Sequence, residues 1–208
     1  MELTRGDKIA SIKKWLGYGS INIFGLPYAG KDTHGRELAE LFDGEVLGGG
    51  DILRNSDIPE SVRAIMERGE LIPTADYISI VLPYLSSDRF TSRPLILSSV
   101  GRWIGEEEGV LLAAEKSKHP LKAVIHLSVD EAAVWRRFER AKTAGYRETR
   151  ADDADNILTK RLDEYRAKTL PVIESYRQKG LLIEIDGLPP RDVVLDTIID
   201  ELAQIATA

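Results

Sequence analysis

The chain has 208 residues, a length that suits one domain with a sizeable core. It carries no Cys, which excludes a disulfide framework, a Cys-zinc site and a cysteine nucleophile. Lys and Arg number 28 against 34 Asp and Glu, a net charge of −6, so a general nucleic-acid-coating surface is not expected. No apolar run approaches the roughly 20 residues of a membrane span, and the charged N-terminal stretch is unlike a signal peptide. A cytoplasmic location, no membrane partner and a monomeric state are the expectations.

Short apolar runs alternate with longer amphipathic ones, the pattern of an α/β domain with a parallel sheet. Ile9, Ile12 and Leu16 sit at helical spacing and predict a short helix before the first strand. The strands are then predicted at 20–24, 45–48, 94–99, 122–129 and 181–186. Helical patterns lie between them at 52–68, 74–87, 102–117, 131–143, 154–179 and 190–206. The longest carries Leu158, Leu162, Tyr165, Thr169, Val172 and Tyr176 in one core-facing stripe, and Pro171 should kink it. Residues 49–87, helical without a strand, and the polar stretch 141–151 read as insertions on the scaffold, with hinges at Gly48–Gly50 and Gly145.

The segment GLPYAGKDT at 25–33 follows a buried strand and opens a helix. Such a loop points successive backbone N–H groups at a phosphate. Gly25 permits a tight turn, Gly30 lets the backbone approach an anion, Lys31 can reach the β- and γ-phosphates, and Thr33 can offer a hydroxyl to Mg²⁺. Asp32 separates that Lys from the hydroxyl, so the generic P-loop spacing is not met.

The loop resembles the G-x-P-G-x-G-K-G-T loop of adenylate kinases and related nucleoside monophosphate kinases, with Tyr28 and Asp32 in place of two glycines. GGGDILR at 48–54, RGELIP at 68–73, VGRW at 100–103, the RADD…KRL…Y…P series across 150–176 and DGLPP at 186–190 resemble further stretches of the same family. The resemblance covers nearly the whole chain after about residue 20. It implies a three-layer P-loop nucleoside monophosphate kinase fold with a five-stranded parallel sheet. Residues 49–87 would be the monophosphate-binding insertion, and 141–151 a short lid.

The activity so implied is transfer of the γ-phosphoryl group of ATP to a nucleoside monophosphate, AMP first. The alternatives are another small-metabolite P-loop kinase, or a nucleotide-binding protein with weak or no catalysis. Lys31, Arg102, Arg150 and Arg161 would be catalytic. ATP would meet Gly25, Tyr28, Ala29, Gly30, Lys31, Asp32, Thr33, Arg137 and Pro189. The monophosphate would meet Gly49, Arg54, Ile72, Arg102, Glu106, Arg150 and Arg161. Mg²⁺ is the implied cofactor, with Thr33 and, through water, Asp51.

Each assignment has a plainer structural reading. Arg54 could cap a short helix. Arg137 sits beside Arg136 and Arg140. Asp152 and Asp153 suit a helix start. Glu106 belongs to an acidic run that could simply be solvated. The family carries an Asp at the end of its third strand, near the metal; Ser98 stands there, and Asp51 or Asp32 would have to supply the charge. Glu106 stands four after Arg102, where adenylate kinases have Gln; a carboxylate accepts hydrogen bonds but cannot donate them, which leaves the base open.

Overall fold

The computed structural model describes residues 3–85, 90, 92–144 and 155–208. Its centre is the strand β1 (Ser20–Gly25), buried at all six positions. Strands β2 (Glu45–Gly48), β3 (Leu95–Ser98), β4 (Leu121–Ser128) and β5 (Leu182–Asp186) complete a five-stranded sheet in the order β2-β3-β1-β4-β5. Every neighbouring pair runs parallel. β1 lies between β3 and β4, and the strands after it in sequence fall first on one side (β2, β3) and then on the other (β4, β5), so the carboxyl end of β1 is the point where an open α/β sheet forms its crevice.

The helices that cover the sheet follow from its apolar pattern. Helix α1 (Arg5–Leu16) is capped by Thr4, whose side chain and that of Asp7 satisfy each other's backbone N–H groups. It buries Ile12 and Leu16 in one cluster with Ile21, Ile23, Ile198 and Leu202. Two ion pairs, Arg5–Asp196 and Lys8–Asp200, both at 2.9 Å, fasten it to the last helix, α10 (Arg191–Thr207). The N-terminal helix is thus part of the main core. Helix α2 (Lys31–Phe42) and helix α7 (Glu131–Ala144) pack against opposite faces of the sheet, in separate apolar clusters.

Three stretches differ from the sequence reading. The pattern at 52–68 is two helices, α3 (Gly49–Arg54) and α4 (Glu60–Glu67). Pro59 precedes α4, and a proline pushes the residue before it out of the helical region. The pattern at 102–117 begins later, at Glu106, giving α6 (Glu106–Lys116). A loop therefore separates Arg102 from that helix, and Arg102 and Glu106 do not share a helix face. The pattern at 154–179 is α8 (Asp155–Glu164), a π-helical turn (Tyr165–Thr169) and α9 (Leu170–Gln178).

That π turn is the form the Pro171 kink takes. Pro171 has no N–H, and its ring crowds the carbonyl four residues back. The chain widens by one residue just upstream, and the Leu170 N–H bonds to Tyr165 O. All six residues of the stripe from Leu158 to Tyr176 remain buried. The remaining element, α5 (Thr74–Leu85), and the other strand and helix boundaries fall within two residues of expectation. The lid core with Gly145, Arg150, Asp152 and Asp153, and residues 86–87 of the insertion, lie outside the described residues.

Candidate active site

The loop after β1 is tightly built. A Cβ at Gly25 would lie 2.8 Å from Leu127 O, so only glycine lets β1 and β4 approach there. Gly30 has φ 106°, which frees the N-terminus of α2, whose Thr33 and His34 N–H groups turn back to Gly30 O. Tyr28 also takes positive φ, 61°, at a position where glycine would be unstrained. Its ring meets Phe138 edge-on at 5.5 Å, which offsets the backbone cost. The Lys31 ammonium closes the loop by donating to Leu26 O at 2.8 Å.

Among the three neighbouring arginines of α7, Arg137 is the one that reaches this loop. It donates to Tyr28 O (3.3 Å), Ala29 O (3.1 Å) and Gly187 O (2.6 Å). It ties the phosphate loop to the turn that contains Pro189. Its guanidinium thus contacts three backbone carbonyls, a role in shaping the loop that the sequence did not suggest.

One cavity opens at the carboxyl ends of β1, β2 and β3. Lys31, Arg54, Arg102 and Arg161 bring four cationic side chains to it from four elements of the chain. Gly25, Asp32, Gly49, Asp51, Ile72 and Glu106 also line it, so most of the expected residues converge. Tyr28, Ala29, Gly30 and Thr33, in the loop and first turn of α2 beside it, do not line this cavity, nor do Arg137 of α7 and Pro189. Arg150 lies outside the described residues.

Arg102 is the most constrained cation. Its Nε is buried without a hydrogen-bond partner. Burial first, and the nearby Arg161 guanidinium next, lower its pKa to about 10. The loop that carries it is pinned on three sides. Asn22 of β1 exchanges two hydrogen bonds with Val100, at 2.7 and 3.3 Å. Gly101 N–H donates to the buried Tyr77 hydroxyl at 2.6 Å. Glu106 Oε2 accepts the N–H groups of Arg102 (2.8 Å) and Trp103 (3.0 Å).

Glu106 is therefore no solvated helix charge: it is 1% exposed. Burial raises its pKa, against the pull of those two backbone donors. Its other oxygen, Oε1, is buried and makes no well-formed hydrogen bond. In the same acidic run Glu107 is buried too, while Glu108 pairs at the surface with Lys179 at 2.6 Å.

The insertion carries one ion pair of its own at the cavity and is tied to α8 on the other side. Asp51 Oδ1 accepts from Arg54 at 2.6 Å. On the far side Leu71 N–H donates to Glu164 Oε2 at 3.1 Å. Lys168 pairs with the same Glu164 and lies 4.0 Å above the Trp103 ring. The π turn supplies Lys168, and Trp103 lines the cavity, so this chain of contacts joins the insertion to the Arg102 loop. Trp103 and Glu164 were missed in the sequence; the only signal for Trp103 was its place beside Arg102. His34, buried and bonded to Glu37 at 2.8 Å, has its pKa lowered chiefly by burial, in keeping with a neutral helix residue.

Comparison with known proteins bears on the whole chain. The adenylate kinase family model matches residues 23–181. The adenylate kinase of Rhizobium meliloti (strain 1021) is 34% identical over 176 residues, covering 79% of this chain and 89% of that protein. That of Agrobacterium fabrum is 31% identical over 182 residues, covering 84% and 92%. That of Methanosarcina acetivorans is 27% identical over 215 residues, covering 90% and 100%.

Proposed function

The chain belongs to the adenylate kinase family and transfers the γ-phosphoryl group of ATP to AMP; we propose that the transfer takes place in the cavity at the carboxyl edge of the sheet. The observation that carries this placement is Arg102, a buried guanidinium with an unpartnered Nε beside a second guanidinium, Arg161. Both guanidiniums line one cavity and make it attractive to an anion, and a phosphoryl group is the anion that the reaction supplies.

In the reaction an oxygen of the AMP phosphate attacks the γ-phosphorus of ATP. The bond from that phosphorus to the β–γ bridging oxygen breaks, and two ADP result. The attacking oxygen is already anionic, so no general base is required and catalysis is positioning plus charge neutralisation. Lys31 and the N–H groups at the start of α2 would hold the donor phosphates, with Gly25, Tyr28, Ala29, Gly30 and Asp32 shaping the loop. Arg54 and Arg102 would hold the monophosphate, and Arg161 with Arg150 would face the transferring group. Gly49, Ile72 and Glu106 would border the base of AMP. Arg137 would act by fixing the loop against the Pro189 turn.

Mg²⁺ with ATP is the cofactor the family uses. The oxygen donors near the loop, the Thr33 hydroxyl and the Asp32 and Asp51 carboxylates, are of the hard type this ion takes. When bound, the ion would neutralise charge between the β- and γ-phosphates. Residues 49–85 would close on the monophosphate, and the lid on ATP, to exclude water. Absence of Cys fits a reducing cytoplasmic setting, and we take the working unit to be one chain.

A coupled assay for ADP formation with AMP, GMP, CMP and UMP as acceptors tests the reading. Turnover with AMP that is lost on Arg102→Met supports it. Full turnover in that variant would place the transfer elsewhere.

A further inference from the structure

Ser98 and Asp32 meet at the floor of the cavity, although 66 residues separate them in sequence. Ser98 ends β3 and is 7% exposed; its hydroxyl donates to Asp32 Oδ1 at 2.9 Å. Asp32 is the second residue of α2, immediately after Lys31, and both line the cavity.

The position is electrostatically unusual. The start of α2 and the Lys31 ammonium favour an anion, yet a carboxylate stands beside them. A carboxylate this close to a polyphosphate repels it unless a cation lies between the two. Helix-start stabilisation alone would not need the carboxylate to be aimed by a residue of another strand. The Ser98 hydroxyl does aim it, as outer hydrogen bonds aim the carboxylates of metal sites. The other nearby acids are engaged differently: Asp51 accepts from Arg54, and Glu106 Oε2 accepts two backbone N–H groups.

We propose that Asp32, oriented by Ser98, is the carboxylate that holds the water shell of Mg²⁺·ATP against the phosphate loop. This rests on the placement of ATP in the cavity. The pair is then a relocated acid: the hydroxyl sits on the strand end and the charge on the helix. Exchanging the two side chain types should keep one carboxylate and one hydroxyl in the same space.

The test uses the full chain, ATP, and Mn²⁺ in place of Mg²⁺. Electron paramagnetic resonance gives Mn²⁺ affinity in the ternary complex; calorimetry gives ATP affinity with metal and in a chelator. Asp32→Asn keeps an acceptor for Ser98 and removes the charge. It should weaken Mn²⁺ retention in the complex by about 10–100-fold, the scale for lost outer-shell partners. Metal-free ATP should bind it as well as, or better than, the wild type, because a repulsion is gone. The exchanged variant, D32S with S98D, should regain most of the metal affinity that D32S alone loses.

Unchanged Mn²⁺ retention in Asp32→Asn would overturn the proposal. So would equal loss of ATP affinity with and without metal, which marks a role in the helix start only. An exchanged variant no better than D32S would also overturn it. A wild-type chain that binds no ATP would overturn the placement of ATP itself, and this proposal with it.

Discussion

Arg102 and Arg161 line the same cavity: burial, and then this second guanidinium, draw the Arg102 pKa down to about 10 while its Nε stays unpartnered. The buried Nε is left for an anion that enters the cavity both arginines line. Arg102→Met should therefore lower kcat/KM for AMP by roughly 10³-fold or more, the scale of an arginine that stabilises transferring phosphoryl charge. The free variant should melt close to the wild type, because the substitution removes a buried charge whose Nε has no hydrogen-bond partner. The stabilisation that a bisubstrate analogue gives the wild type should largely vanish. A variant that melts much lower without ligand would show that Arg102 is chiefly structural. Steady-state kinetics and thermal melts with and without the analogue check both halves.

Lys31 should be needed for turnover and nearly dispensable for folding. Its hydrogen bond to Leu26 O is worth about 1 kcal/mol, so losing that bond in Lys31→Met should shift stability little. Loss of its charge at the β- and γ-phosphates should cut kcat by about 10²-fold or more. Urea unfolding and kcat, measured on the same preparation, separate the two effects. Full activity in the variant would remove Lys31 from the site.

The local parts of this design were legible in the sequence. The strand at 20–24, the glycine loop and the helix from 31 follow one another, and each is decided by residues close in the chain. Most of the cavity residues were found the same way, through short motifs. What escaped were contacts made across the fold. Ser98 and Asp32 are 66 residues apart, and Arg137 is about 108 from the loop it binds. No periodicity reports such pairs. The start of α6 was misplaced because Arg102 and Trp103 have helix-compatible side chains, while their N–H groups are taken by Glu106 Oε2. The break before α4 was visible, since Pro59 marks it, but the apolar spacing across 52–68 outweighed it.

Glu164 should govern how the insertion closes. It accepts the Leu71 N–H and is clamped by Lys168, so it links α8 to a segment that borders the monophosphate. Its pKa is lowered by the Lys168 and Leu71 hydrogen bonds, although burial, the largest single influence, acts the other way. Glu164→Ala should free Leu71 and raise KM for AMP several-fold, with a smaller change in kcat and in KM for ATP. Hydrogen exchange of residues 60–75 should speed up in the free protein and recover in part with a bisubstrate analogue. Equal rises in both KM values would point to a general loss of structure instead.

Glu106→Gln tests both the base and a buried charge. The Gln carbonyl can keep accepting from Arg102 and Trp103, and its amide then puts a donor in place of the buried Oε1. Adenine offers an acceptor at N1 and donors on its amino group, so an amide that both donates and accepts suits it. The guanine edge, with two donors, suits a carboxylate better. The substitution should shift kcat/KM toward AMP, relative to GMP, by about 1–2 kcal/mol, the scale of one mismatched buried hydrogen bond. Stability supplies a second readout. The Glu106 pKa is raised above its ordinary 4.5, so the folded state holds the proton more tightly than the unfolded one. The wild type then loses stability as pH rises from 4.5 through the folded-state value, and the Gln variant lacks that loss. Measured against the wild type, the variant should be relatively more stable at pH 7 than at pH 4. An unchanged AMP-to-GMP ratio with this pH signature present would leave Glu106 as a buried clamp on the Arg102 loop that does not read the base.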